Sequence, residues 1–136
     1  MKRCAMLLAL LACTGSPAVL AADAAPPTLE PLVEKDLPAL AGQTGLLAAV
    51  TYAPGGASAP HRHNANTFVY VLEGSIVMQV HGGEAQTLMP GDTFYESRED
   101  IHAVSRNASM TEPAKFLVFI VKDKDAPISV QVDAGH

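Results

Sequence analysis

The sequence predicts an all-β domain, an antiparallel sandwich or barrel, and three observations carry that prediction. Short apolar runs follow one another along residues 46–122, and each is closed by Gly, Pro, Asn, Asp or Ser. No segment sustains a 3.6-residue apolar period over the length of an ordinary helix. Apolar residues make up 49% of the chain but aromatics only 5%, with no Trp, so the core must come from Val, Leu, Ile, Ala and Met. A chain of 136 residues has room for one such domain.

Residues 1–21 stand apart from it. MKR is a short positive segment and CAMLLALLAC an apolar one too short to span a bilayer, the arrangement of an export signal. Val19 and Ala21 are small residues where a signal peptidase reads, so cleavage is expected after Ala21 or Ala22, with Asp23 opening the mature chain and a periplasmic or secreted destination. A competing reading takes LLAC, residues 10–13, as a lipobox that anchors the protein through Cys13. Both cysteines, Cys4 and Cys13, fall in this segment, so a chain cut after Ala21 has no thiol. A nucleophilic Cys, a disulfide framework and a thiolate-bound metal are thereby excluded. Losing Lys2 and Arg3 leaves 7 basic against 14 acidic residues, a formal charge of minus 7. Such a surface repels nucleic acid, and no basic cluster follows, so a DNA or RNA function is excluded too. No transmembrane helix is expected in the mature chain.

Residues 22–45 are rich in Pro, Ala and Gly and read as an extended N-terminal arm, its first few residues mobile and Leu37–Leu40 packing on the sheet or on a second copy. The domain proper is expected over 46–132. Its strands are LLAAVTY (46–52), TFVYVL (67–72), SIVMQV (75–80), AQTL (85–88), TFYE (93–96), IHAVSR (101–106) and KFLVFIVK (115–122), with APISVQV as a further candidate. SIVMQV alternates and is expected to be half exposed, whereas the unbroken apolarity of KFLVFIVK predicts burial on both faces. EG and PGD are tight turns in which Gly74 and Gly91 accept positive φ and Asp92 bonds the backbone two residues on.

The chemistry concentrates in histidines. On a strand, side chains alternate, so His61 and His63 of HRH project to one face with Arg62 on the other. Two imidazoles on one face can converge on one metal ion at about 2.0–2.2 Å. An HxH pair alone is weak evidence, and His102 alone, in the apolar run IHAVSR, reads better as a core histidine. Together the three point to a metal. His81, in a Gly-Gly turn, and His136 are excluded as ligands, and Arg62 and Arg106 read as solvated cations before anion binders.

At these residues the chain resembles the cupin superfamily. The first cupin motif, a Gly, HxH, a Glu and a second Gly, is matched by Gly55, His61, His63 and Gly74, with Thr67 standing where the Glu is expected. The second motif is matched by Gly91 and His102, with Ser97 and Glu99 at its Pro and Gly positions and Asn107 one residue late. The resemblance covers residues 45–122 and implies a small single jelly-roll barrel with a divalent metal near one end of its interior. The usual set is three histidines and a glutamate, and here the glutamate is missing. Three readings follow: His61, His63 and His102 bind alone, as in the three-histidine dioxygenases; Glu96 supplies a carboxylate directly or through water; or the metal is lost and the histidines bind a small ligand.

Ligand chemistry favours the first, because three neutral imidazoles suit transition metals and not Mg or Ca. Fe(II) is favoured by the resemblance, with Mn, Ni, Cu or Zn as alternatives. Thr67 is a poor ligand, and counts at most as a neighbour of the site. Phe68, Tyr70, Met78, Phe94, Tyr95 and Val104 are candidates to line a substrate pocket. The expected function is metal-assisted, dioxygenase-like chemistry on a small organic molecule, with a non-catalytic small-ligand or metal binder as the alternative. A homodimer is implied by the resemblance alone.

Overall fold

Aliphatic and β-branched residues at period two dominate residues 43–123, and the chain lays them into two facing antiparallel sheets. The computed structural model describes residues 24–132; the signal segment of residues 1–21, with Cys4 and Cys13, and His136 lie outside the described residues. Among the described residues there is no helix. In chain order the strands are β1 (Thr28–Asp36), β2 (Gln43–Tyr52), β3 (Ala57–Ser58), β4 (His61–Arg62), β5 (Asn66–Glu73), β6 (Ile76–Val80), β7 (Gln86–Leu88), β8 (Thr93–Glu96), β9 (His102–Asn107), β10 (Ala114–Asp123) and β11 (Val130–Gln131).

One sheet runs β1-β2-β10-β5-β8 and the other β11-β4-β9-β6-β7, with β3 also on β9. This is a jelly-roll barrel, the expected fold. Alternation sorts each strand: Leu46, Ala48, Val50 and Tyr52 of β2, Val69 and Val71 of β5, and Phe116, Val118 and Ile120 of β10 point inward to meet Ile76, Met78 and Leu88 from the other sheet. Each large aliphatic or aromatic side chain so buried contributes about 1.5–3 kcal/mol by leaving water.

Three expectations are corrected. KFLVFIVK is not buried on both faces, because β10 is covered on its inner side only and Phe119 stands 41% exposed on the outer one, near Phe68. SIVMQV is less exposed than its alternation suggested, with Ile76, Val77 and Met78 all buried. The arm of residues 22–45 contains β1, which pairs along β2 from Thr28 to Asp36. Pro31 has no N–H for a ladder, which an edge strand tolerates, and the register slips beside it between Pro31 and Val33. Leu37–Leu40 forms the turn into β2, with Leu40 exposed. At Gly91, φ is +95°, as the turn requires, but Asp92 accepts from the N–H of Met89, three residues back, at 2.8 Å.

One irregularity positions the site. Between β6 and β9, Gln79 pairs with Val104 and Val80 with His102, so Ala103 is an extra residue in β9. The bulge accounts for Asn107 falling one residue late. Despite the insertion Asn107 still turns inward, where its Nδ2 donates to the carbonyls of Ala53 and Glu112 and its Oδ1 accepts from the N–H of Ser109.

Candidate metal centre

Two short strands and a bend bring the histidines together. His61 on β4 sits directly across from His102 on β9, and His63 follows just past the end of β4. Asn64 then takes φ 52°, a left-handed conformation that Asn accepts more readily than most residues, and turns the buried Ala65 into β5. One ligand atom from each of His61, His63 and His102 lies within 4.8 Å of the others, so the three can hold a metal ion.

Their hydrogen bonds fix which nitrogens are free. Nδ1 of His61 is 2.8 Å from the carbonyl of Ala59, and Nδ1 of His63 is 2.7 Å from that of Ile128. A carbonyl only accepts, so each Nδ1 carries the proton and each Nε2 keeps a bare lone pair. Burial lowers the pKa of His61, against the opposing effect of its bond to Ala59, and so favours the neutral, ligating form. His102 is 3% exposed, neither ring nitrogen has a hydrogen-bond partner, and the ring is stacked with Phe94 at 6.0 Å. A buried imidazole with two idle nitrogens is a costly core residue. It fits a ligand better.

Glu96, at the end of β8, enters the same space. Its Oε1 lies 3.2 Å from Nδ1 of His102 and 4.0 Å from Nε2 of His63, and its Oε2 has no partner. Thr67 pairs with it across the sheet and is fully buried, with an unpartnered hydroxyl.

His61, His63, His102 and Glu96 open onto a cavity of about 390 Å³ inside the barrel. Val50, Val69, Met78, Val118, Ile120 and Ile128 make it mostly apolar, and Pro26, Pro27 and Leu29 from the arm line it as well. Its second polar group is Tyr52, whose hydroxyl is 2.6 Å from Oγ of Ser58 and 2.7 Å from Oγ of Ser105. Burial raises the Tyr52 pKa, against the lowering effect of those serine hydroxyls, so the phenol stays protonated.

Of the pocket residues expected from sequence, only Met78 lines this cavity. Phe94 is buried behind His102. Phe68, Tyr70 and Tyr95 are on the outer face, 47%, 47% and 51% exposed, because the inward parity of β5 and β8 belongs to Thr67, Val69, Phe94 and Glu96. Val104 is turned away by the bulge at Ala103, and Ser105 takes the interior position in its place. Arg62 and Arg106 do not line the cavity, and His81 is exposed in its turn. Tyr52, Ser58 and Ser105 were missed from sequence. Tyr52 was reachable, since it shares parity with Val50 and Ala48, but no local pattern marks Ser58.

A search of curated proteins finds no match. Among solved structures the chain is similar to the polyketide cyclase RemF from Streptomyces resistomycificus, with 25% identity, a TM-score of 0.60, and 79% of this chain aligned to 71% of that one. It is also similar to the DMSP lyase DddQ from Ruegeria pomeroyi DSS-3, at 21% identity and a TM-score of 0.59 over 68% of this chain and 45% of that one. Oxalate oxidase in complex with the substrate analogue glycolate aligns at 24% identity and a TM-score of 0.56, over 65% of this chain and 46% of that one. The chain thus spans less than half the length of the lyase and the oxidase it resembles. The sequence profile of the cupin domain matches residues 48–120, more than half of the chain, and the protein belongs to the cupin family.

Proposed function

We propose that this cupin binds a divalent transition metal, Fe(II) by preference, through His61, His63 and His102, and uses it in dioxygenase-like chemistry on a small organic molecule held in the barrel. The observation that carries the reading is three convergent imidazoles at the wall of a mainly apolar cavity. A bound ion would act as Lewis acid or redox centre for a chelating anion. The chain's own residues do the rest. The Ala59 and Ile128 carbonyls orient the rings, the aliphatic walls exclude water from the organic body, and the Tyr52 hydroxyl with its serines offers a polar contact within the same cavity. Metal analysis of the protein purified from its native compartment is the test. About one equivalent of transition metal is expected in the wild type and under a tenth in His61→Ala; under a tenth in both ends the reading.

A non-catalytic small-ligand or metal carrier is the second reading. It is favoured by the cavity lining, where Glu96 and Tyr52 are the only acid–base groups besides the three histidines among the described residues. Oxygen consumption with β-diketone, thiol or phenolic compounds separates the two, since a carrier gives thermal stabilisation without product. The reading includes export, motivated by residues 1–21, and mass measurement of the mature chain distinguishes cleavage after Ala21 or Ala22 from lipidation at Cys13. It also includes a homodimer formed through the outer aromatic face of Phe68, Tyr95 and Phe119, which sedimentation equilibrium would show.

A further inference from the structure

The barrel interior holds one carboxylate that three histidine ligands leave without a role. Glu96 is 2% exposed, one of its oxygens has no partner, and its only ion-pair neighbours among the described residues are His63 and His102. Neither histidine satisfies it. His63 already uses its Nδ1 proton on Ile128, so its Nε2, the atom facing Glu96, carries a lone pair and not a hydrogen. The contact with His102 is 3.2 Å, yet neither nitrogen of that ring makes a hydrogen bond. The buried carboxylate thus meets a lone pair at His63 and no hydrogen bond at His102, and stands uncompensated.

We infer that Glu96 is the fourth protein donor of the metal centre, supplying from β8 the carboxylate that Thr67 does not supply from β5. This rests on the metal-binding reading above and refines it. The pairing register is the first support: Thr67 and Glu96 are direct partners across β5 and β8 and both point inward. Side chains so paired stand side by side on one face with Cβ atoms about 4.5–5.5 Å apart. The length of a glutamate covers that step, so a carboxylate moved from one strand to its neighbour reaches the same space. The distances are the second support. Two donors each about 2.1 Å from one ion stand roughly 3.0 Å apart in adjacent positions and roughly 4.2 Å apart in opposite ones. With Nδ1 of His102 and Nε2 of His63 as the donor atoms, the 3.2 Å and 4.0 Å separations of Glu96 Oε1 match those two spacings. The third is charge: a divalent cation would satisfy the idle Glu96 oxygen and the idle His102 nitrogen together. The centre then carries a net charge of plus one, where three histidines alone would leave plus two, and loses one of its open positions.

The test uses Co(II) as the probe, with affinity from chelator competition and coordination from the visible spectrum, on the purified chain and three variants. Glu96→Gln keeps the volume and removes the charge; the exchange Thr67→Glu with Glu96→Thr returns the carboxylate to β5; His61→Ala is the control for the site as a whole. Glu96→Gln is expected to weaken Co(II) at least about tenfold and to change its spectrum, and the exchange variant to recover both. The inference is overturned if Glu96→Gln keeps wild-type affinity and spectrum. It is equally overturned if the exchange variant, shown folded by circular dichroism, recovers neither, because Glu96 then acts by orienting His102 and not as a donor. Should wild type and His61→Ala alike fail to bind Co(II), the three-histidine reading itself is wrong.

Discussion

Tyr52 shows how one side chain can be judged apart from the metal. Its ring is buried against Phe116 and its hydroxyl is enclosed by Ser58 and Ser105. Desolvation raises its pKa above the ordinary value of 10.0. A raised folded-state pKa contributes stability that is fully present below the unfolded value, and that is lost as pH rises through the folded one. Absorbance titration should therefore show one phenol ionising late, with unfolding promoted above about pH 10, and Tyr52→Phe should abolish that phase. The same substitution leaves two serine hydroxyls short of a partner, and should cost about 1–2 kcal/mol in urea unfolding. A titration with no late phase would show that the phenol is hydrated. Legibility at this scale was uneven. The three histidines stood out because their spacing is itself the geometry, as an HxH on a strand has only one way to point. Glu96 is readable from sequence only as one candidate carboxylate among several readings, since its tie to Thr67 is a pairing register that no local pattern encodes. Val104 is displaced from the pocket by the extra residue Ala103, whose presence is a property of two strands together.

Among the elements, the turn between β5 and β6 is the most tightly specified. Gly74 has φ +69°, and a Cβ there would lie 2.5 Å from the carbonyl oxygen of Pro113 and 2.9 Å from Cα of Ala114. The backbone of the segment entering β10 occupies the space a side chain would need. Gly82 has φ +80° but open space around it. Gly82→Ala should thus cost only the left-handed penalty, about 1–2 kcal/mol, while Gly74→Ala should cost about 2–4 kcal/mol, both read from urea midpoints at constant m. Equal costs would mean that β10 can move away from the turn. The EG dipeptide made this turn visible in the sequence; the approach of residues 113–114 was not, because it joins positions some forty residues apart. β1 was hidden for a different reason. Every residue of it is exposed, so TLEPLVEKD carries no inward alternation to read, and it is held by its ladder to β2 and by Glu34, 3.2 Å from the buried amine of Lys122. The runs that alternate were found nearly to the residue, because burying one face of a sheet imposes the pattern.

For the molecule as a whole, the candidate centre sits where the two sheets meet. His61 and His102 belong to the sheet of β4 and β9, and Glu96 to the sheet of β8. Elsewhere the sheets are joined mainly by apolar packing, which is strong but not directional, with the Tyr52–Ser105 hydrogen bond as a polar tie. An ion held from both sides would tie them together at one end, and since the unfolded chain does not assemble this set of donors, binding would appear as folding stability. At a free metal concentration of a hundred times Kd the gain is about 2.7 kcal/mol. A single domain of this size gains on the order of 4 °C per kcal/mol, so the melting temperature should rise by about 10 °C. The measurement is a thermal melt of chelator-stripped protein with added Co(II), Ni(II), Zn(II), Mn(II) or, without oxygen, Fe(II). His61→Ala should show little of the rise. Glu96→Gln should lose part of it at equal metal, because a weakened Kd lowers the ratio that sets the stabilisation. If no metal shifts the melt by more than about 2 °C, the sheets are not tied in this way; an equal shift in His61→Ala would place the ion elsewhere.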